Sequence, residues 1–192
     1  MKILLVAATK QEVIVEKFKD LEVLFTGIGM VNTTLCLTKE LSTKSYDLVI
    51  NMGIAGCFNP NIKIGDIVEV IEDSFSEIGF ENGKEFEQFS DFGIQTNYSV
   101  EGKTNLQKAK GITVNTVHGN EGSIAEVVSR LNPDIESMEG AAVFKVCQEF
   151  DIPCVQIRAI SNKVEKRNKA NWNMPLAIKN LNIQVKQIIA EL

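Results

Sequence analysis

The chain has 192 residues, 44% apolar and 23% charged, which is enough to bury a sizeable core as one soluble domain over residues 1–192. A net charge of −5 and only three arginines, Arg130, Arg158 and Arg167, exclude a broad nucleic-acid surface, because a phosphate backbone calls for clustered Lys and Arg. No apolar run has the length of a membrane span and the N-terminus lacks a secretory pattern, so no membrane partner is expected and the cytoplasm is the default compartment.

Lys2 to Ala8 is a short, nearly continuous apolar run suited to a strand buried on both faces; polar Thr9-Lys10-Gln11-Glu12 leads from it into a helical stretch ending near Phe18. Val23 to Thr26 predicts a second strand, Gly27-Ile28-Gly29 a turn and Met30 to Leu41 a helix. Asp47 to Met52 predicts a buried strand ending at the glycine-rich Gly53-Ile54-Ala55-Gly56, and Ile67 to Ile71 predicts another. From Glu72 to Gly111 the chain is rich in Phe, Glu, Ser, Asn and Gly without sustained periodicity, which predicts a loop placed to act as an active-site lid. Gly111 to Val117 then reads as a strand, Ile124 to Leu131 and Glu139 to Phe150 as helices, Cys154 to Ile160 as a strand and Met174 to Leu192 as a closing amphipathic helix. This alternation, with no internal repeat or linker, predicts a three-layer α/β fold, a central mixed but largely parallel twisted sheet flanked by helices. Ligands collect at the carboxyl ends of strands in such sheets, where loops leave a crevice lined by unpaired N–H groups.

Cys36, Cys57, Cys147 and Cys154 lack C-x-x-C spacing and His118 is the only histidine, which favours buried free thiols over disulfides or a metal site. Gly27-Ile28-Gly29 lacks the third glycine of a dinucleotide fingerprint, so no cofactor is expected. The order of the motifs says more. Glu12 follows the first strand; Asn51-Met52-Gly53-Ile54-Ala55-Gly56 precedes Lys63-Ile64-Gly65-Asp66-Ile67-Val68; Ser137-Met138-Glu139-Gly140-Ala141-Ala142 opens a helix; and Arg158-Ala159-Ile160-Ser161-Asn162 ends a strand. Together they resemble the active-site set of the purine nucleoside phosphorylase and nucleosidase superfamily, from Met1 to about Leu181. The resemblance implies that superfamily's fold, cleavage of the N-glycosidic bond of a small-molecule nucleoside, a homo-oligomer, and a glycine-rich segment with Ala55 and Gly56 beside the ribose.

Taken alone, Glu12 and Glu139 are carboxylates that favour helix starts, and Met138 is core. The resemblance implies more. Cleavage builds positive charge at C1′ and the ring oxygen, and the carboxylate matching Glu12 orients the incoming water and takes its proton. Met138 and Glu139 match residues that face the ribose, with the carboxylate accepting from its hydroxyls.

The Ser161-Asn162 step addresses the base. Adenine-cleaving members carry Asp where this chain has Asn162. Asp accepts from the 6-amino group of adenine, whereas a 6-oxopurine shows acceptors at both O6 and N7, to which an amide N–H can donate. Asn162 therefore suits a 6-oxopurine, although an amide is no strong acid and the source of the proton taken up at N7 stays open.

A phosphorylase must hold a phosphate dianion beneath the sugar, and members of the superfamily that do so place arginines in the glycine-rich segments. None occurs before Arg130, and neither Gly27–Gly29 nor Gly53–Gly56 contains Lys, so water is the expected nucleophile. The run from Ile160 through Asn168, with Asn171-Trp172 and Pro175 to Leu181, resembles the futalosine hydrolases. That implies release of hypoxanthine from futalosine in menaquinone biosynthesis, with Arg167 or Lys163 either pairing with the benzoate of the substrate's tail or serving as plain surface charge. Three alternatives stand beside it: a methylthioadenosine/S-adenosylhomocysteine nucleosidase, opposed by Asn162; a purine nucleoside phosphorylase, opposed by the missing arginines; and a non-catalytic nucleoside-binding module on the same fold. The residue that stacks on the base is expected near Val117 to Asn120.

Overall fold

The computed structural model describes residues 1–83, 85–89 and 93–191. Its strands are β1 (Ile3–Ala7), β2 (Glu22–Phe25), β3 (Leu48–Cys57), β4 (Ile67–Phe75), β5 (Gly79–Asn82), β6 (Glu85–Gln88), β7 (Asn97–Ser99), β8 (Gln107–Thr113), β9 (Ile135–Ser137) and β10 (Cys154–Lys163). Its helices are α1 (Met30–Leu41), α2 (Glu121–Leu131), α3 (Gly140–Glu149) and α4 (Met174–Glu191). The result is the expected mixed α/β fold of a central sheet between helices.

β1 pairs in parallel with β2 on one side and β3 on the other, and β3 pairs in parallel with β10 along nearly its whole length. β10 continues antiparallel to β4, β4 parallel to β8, and β8 parallel to β9, which returns antiparallel to β3. The sheet therefore closes on itself through β3, β10, β4, β8 and β9, with β1 and β2 as an open wing. Closure removes sheet edges and brings the ends of β3, β9 and β10 to one rim.

Side-chain alternation divides the core. Ile3, Leu5 and Ala7 join Ile50, Met52, Ile157 and Ala159 beneath Ala177, Leu181, Val185 and Ile188 of α4. Leu4, Val6 and Val49 face the opposite way, against Leu37 and Leu41 of α1 and Ala141 to Phe144 of α3. A third cluster, Ala55, Cys57, Val68, Val70, Ala109, Ile135 and Ile160, fills the ring itself. Cys57, Cys147 and Cys154 are buried and Cys36 half-buried, all as free thiols. Among the described residues, no helix is long and apolar enough to cross a membrane.

The structure corrects four sequence expectations. No α-helix follows Thr9; two 3₁₀ turns, Lys10–Glu12 and Val15–Lys17, take its place. The amide of Asn182 occupies the Glu12 carbonyl and the Ile14 N–H, groups that a continuing helix would use itself. β3 does not end at Gly53 but runs through Gly56, because β10 supplies ladder partners as far as Cys57.

The segment from Glu72 to Gly111 is not a loop in its described residues. It completes β4, forms the β5–β6 hairpin and β7, and opens β8. Buried Asp73 hid this strand from its pattern; its carboxylate accepts from Thr113 Oγ1 at 2.9 Å and Gln156 Nε2 at 3.0 Å, partners supplied by other strands. None of the described residues of this segment lines the cleft described below, so none of them forms the expected lid there. The strand expected over Gly111 to Val117 is β8 and ends at Thr113, leaving Val117 in a connecting segment.

Candidate active site

At the rim formed by β3, β9 and β10, glycines make room for function. Gly53 pairs with Arg158 across the ladder, and a Cβ at Gly53 would lie 3.1 Å from Glu12 Oε1 and 3.6 Å from Arg158 Nη1. A Cβ at Gly56 would stand 2.9 Å from Val164 and 3.3 Å from both Asn162 Nδ2 and Glu136 Cγ. These glycines are the floor of a site within a strand rather than a turn. A bulge in β10 between Ile160 and Asn162 shifts the register and re-aims the side chains that follow.

Glu12 is buried on this floor. Its carboxylate accepts the Thr9 N–H and Thr9 Oγ1, each at 3.0 Å, and the Ile54 N–H at 3.2 Å. Three donors and no acceptor suit an ionised carboxylate, held in one place. Glu139, the residue before α3, accepts the Gly29 N–H at 2.9 Å. Gly29 adopts φ of 94°, a left-handed conformation natural to glycine, and so turns that N–H toward Glu139 at the start of α1. Burial pushes the Glu139 carboxyl above its ordinary value, while the Gly29 N–H and the charge of Arg158 oppose the rise.

Arg158 lies beneath the floor. Its guanidinium donates to Asn51 Oδ1 at 2.5 Å, to the Asn51 carbonyl at 3.4 Å and to the Ile157 carbonyl at 3.1 Å. A fully buried cation needs counter-charge, and Glu139, Asp73 and Glu12 supply it.

Above these groups opens a cleft of about 230 Å³. Glu12, Ile54, Met138, Glu139, Ser161 and Asn162 line it, together with Val117 and His118. Ser161 Oγ donates toward the Ala55 carbonyl at 3.2 Å and toward Asn162 Oδ1 at 2.8 Å; Asn162 Nδ2 donates to the Lys163 carbonyl at 2.9 Å. With its oxygen already engaged, the Asn162 amide has its second N–H to offer.

Residues 11–190 match the phosphorylase superfamily. The chain belongs to that superfamily. It is 29% identical over 187 residues to a 5′-methylthioadenosine/S-adenosylhomocysteine nucleosidase of Marinomonas sp., covering 89% of this chain and 81% of that protein. It is 26% identical over 179 residues to the futalosine hydrolase of Thermus thermophilus, covering 86% of this chain and 80% of the relative. Its fold superposes with a TM-score of 0.87 on a futalosine hydrolase of Helicobacter pylori, at 18% identity and covering 100% of this chain and 98% of the other.

The fold thus brings Glu12, Ala55, Gly56, Met138, Glu139, Ser161 and Asn162 to one cleft of this superfamily member. Arg167 is not among them. It is exposed, stacks at 5.2 Å over the Trp172 ring and borders an adjoining hollow, while Trp172 itself lines the cleft. Lys163 is also engaged elsewhere, donating to the carbonyls of Asn59 at 2.8 Å and Ile62 at 2.5 Å. Neither cation stands where a substrate carboxylate inside the cleft would meet it.

Val117 and His118 do line the cleft, within the stretch expected to meet the base. Glu136 lines it too, with no role assigned from its position in the sequence. Glu136 stands in β9 two residues before Met138, which follows the strand, and both line the cleft. Among the described residues, no group of three or more His, Cys, Asp or Glu side chains is arranged to hold a metal ion.

Proposed function

We propose that this chain is a nucleosidase that hydrolyses the N-glycosidic bond of a 6-oxopurine nucleoside, with futalosine as substrate and hypoxanthine as the released base. The observation that carries the reading is that Asn162 lines the cleft with its oxygen engaged by Ser161 and one N–H by the Lys163 carbonyl, and the reading gives its other N–H to O6. An Asp there would set a carboxylate against O6 with no donor between them.

The remaining geometry fits hydrolysis. Glu12, fixed by three donors, orients a water toward C1′ and takes its proton. Glu139 accepts from the ribose hydroxyls and, with Met138, holds the sugar as positive charge builds on it. Among the described residues no Lys or Arg lines the cleft, and the Nη groups of Arg158 donate to Asn51 and Ile157, which disfavours a phosphate dianion as nucleophile.

The cleft is smaller than the roughly 300–1,000 Å³ typical for drug-sized ligands. It takes base and ribose, and a longer 5′ group runs out over the mouth, where Ile28 is 57% exposed. Exposed Val31 and Leu35 on α1 extend this apolar surface, which supports a homo-oligomer with a second copy against α1.

The Marinomonas relative favours a second reading, cleavage of methylthioadenosine or S-adenosylhomocysteine. Incubation with futalosine, inosine and methylthioadenosine, each with and without phosphate, separates the readings. Hypoxanthine release from futalosine, indifferent to phosphate and leaving a free 1-hydroxyl, is the expected result. Preference for methylthioadenosine, or a sugar 1-phosphate product, overturns it.

A further inference from the structure

The base end of the cleft holds a titratable pair that the steps above leave idle. Glu136, the central residue of β9, is 3% exposed. Its Oε1 accepts the main-chain N–H of His118 at 3.1 Å, and its Oε2 lies 2.6 Å from His118 Nδ1. An ionised carboxylate only accepts, so Nδ1 carries a proton and Nε2 is the ring nitrogen left to exchange one with its surroundings. The His118 ring is largely buried, packs edge-on against Phe58 at 6.0 Å and lines the same cleft as Asn162.

The sheet dictates this convergence. Gly56 pairs with Glu136 on one side and with Asn162 on the other, so both side chains flank one glycine at the same level of the ring. The His118 segment descends onto that level from the end of β8. An amide, a carboxylate and an imidazole thus meet in one part of the cleft, and the imidazole is the group built to pass a proton from one ring nitrogen while the other is held.

We infer that His118, oriented by Glu136, is the acid that protonates the departing purine. This rests on the nucleosidase reading and supplies the proton that Asn162 cannot. As the C1′–N9 bond breaks, its electron pair passes to the purine and the His118 Nε2 proton moves to N7. The water oxygen bonds to C1′ and gives its proton to Glu12. Glu12 then returns a proton to solvent and His118 regains one, so the net reaction consumes only water. Glu136 acts through His118 and is a positioning residue. The other charged groups around His118 are Glu77 and Arg167, which share the adjoining hollow with it, and Glu12 and Glu139 in the cleft.

Two ribosides with different leaving groups test this. Purine departure needs a proton, whereas 4-nitrophenolate leaves without one. His118→Gln is expected to slow hydrolysis of the purine nucleoside by about 10²-fold or more while staying within a few-fold of wild type on 4-nitrophenyl β-D-riboside. Wild type is expected to lose purine-cleaving kcat on the alkaline side of its pH profile but not nitrophenyl-riboside kcat. Glu136→Gln is expected to lower purine-cleaving kcat far more than nitrophenyl-riboside kcat, because a single amide oxygen cannot hold both the His118 main-chain N–H and its ring nitrogen. Equal losses on both substrates in His118→Gln, or the same alkaline limb on both in wild type, overturn the acid role, and the wild-type comparison stands even if the variant folds poorly. Wild type that releases no base from any nucleoside overturns the nucleosidase reading and this inference with it; an active wild type matched by His118→Gln on the purine overturns this inference alone.

Discussion

Asn182, in the middle of α4, donates its side-chain N–H to the main-chain carbonyl of Glu12 at 2.8 Å and accepts the Ile14 N–H at 2.7 Å. A fully buried amide on the last helix therefore pins the backbone that carries the proposed general base. Asn182→Leu keeps the volume but leaves that carbonyl and N–H without partners, at about 1–3 kcal/mol for each stranded group. Denaturant unfolding should show the loss in stability, and kcat should fall with it as Glu12 loosens. A variant of unchanged stability and turnover would sever Asn182 from the site.

Glu12→Gln tests the base itself. Gln keeps the shape but cannot take the water's proton, and a positioned general base contributes about 10²–10⁴-fold. The expected outcome is a loss of that order in kcat with the fold intact by circular dichroism. Near-wild-type turnover would remove Glu12 from the mechanism.

Legibility in the sequence followed how local each signal was. α1 starts and ends where its pattern predicted, since Gly29 before it and the amphipathic spacing within it are local signals. β4 beyond Ile71 was illegible because Asp73 is tolerated there only through Thr113 and Gln156, 40 and 83 residues away. The sequence places Gly53 and Gly56 at the end of a strand and, by resemblance, Gly56 beside the ribose, but that their lack of side chains makes room for Glu12, Arg158 and Asn162 no local pattern reveals. In the site, Glu12, Met138, Glu139, Ser161 and Asn162 were marked by motifs and their order. His118 and Glu136 were not, because 18 residues separate them and the descent of the chain from β8 onto β9 is what joins them.

Asp73 should make stability depend on pH. Burial raises its pKa to about 6 from an ordinary 3.8, against the opposing pull of Gln156, Thr113 and Arg158. Below about pH 4 the folded and unfolded chains both hold this proton. Between about pH 4 and 6 the unfolded chain releases it first, so this contribution to stability falls as pH rises and is level above about pH 6. In Asp73→Asn the new amide can donate to Gln156 Oε1, which has no partner, and the titration disappears. Urea midpoints measured across pH 4–7 should show wild type losing ground to the variant as pH rises. Parallel curves would mean that Asp73 does not titrate in this window.

Asn162→Asp tests base recognition. The Asn162 oxygen accepts from Ser161 and its nitrogen donates to the Lys163 carbonyl, so the amide is held from both ends. Asp keeps the Ser161 bond but removes both donors, opposing carboxylate to the Lys163 carbonyl and to O6 of a 6-oxopurine. An unpaired buried polar contact costs about 1–3 kcal/mol, roughly 5–150-fold in kcat/KM at room temperature. The loss should be specific to futalosine, with residual cleavage shifting toward the aminodeoxy analogue, whose adenine offers a donor that Asp accepts. Purine release from the two substrates, measured side by side for wild type and variant, decides the matter. If wild type prefers the adenine analogue, or if the variant keeps the full preference for the 6-oxopurine, then Asn162 does not discriminate and the futalosine assignment loses the observation that carries it.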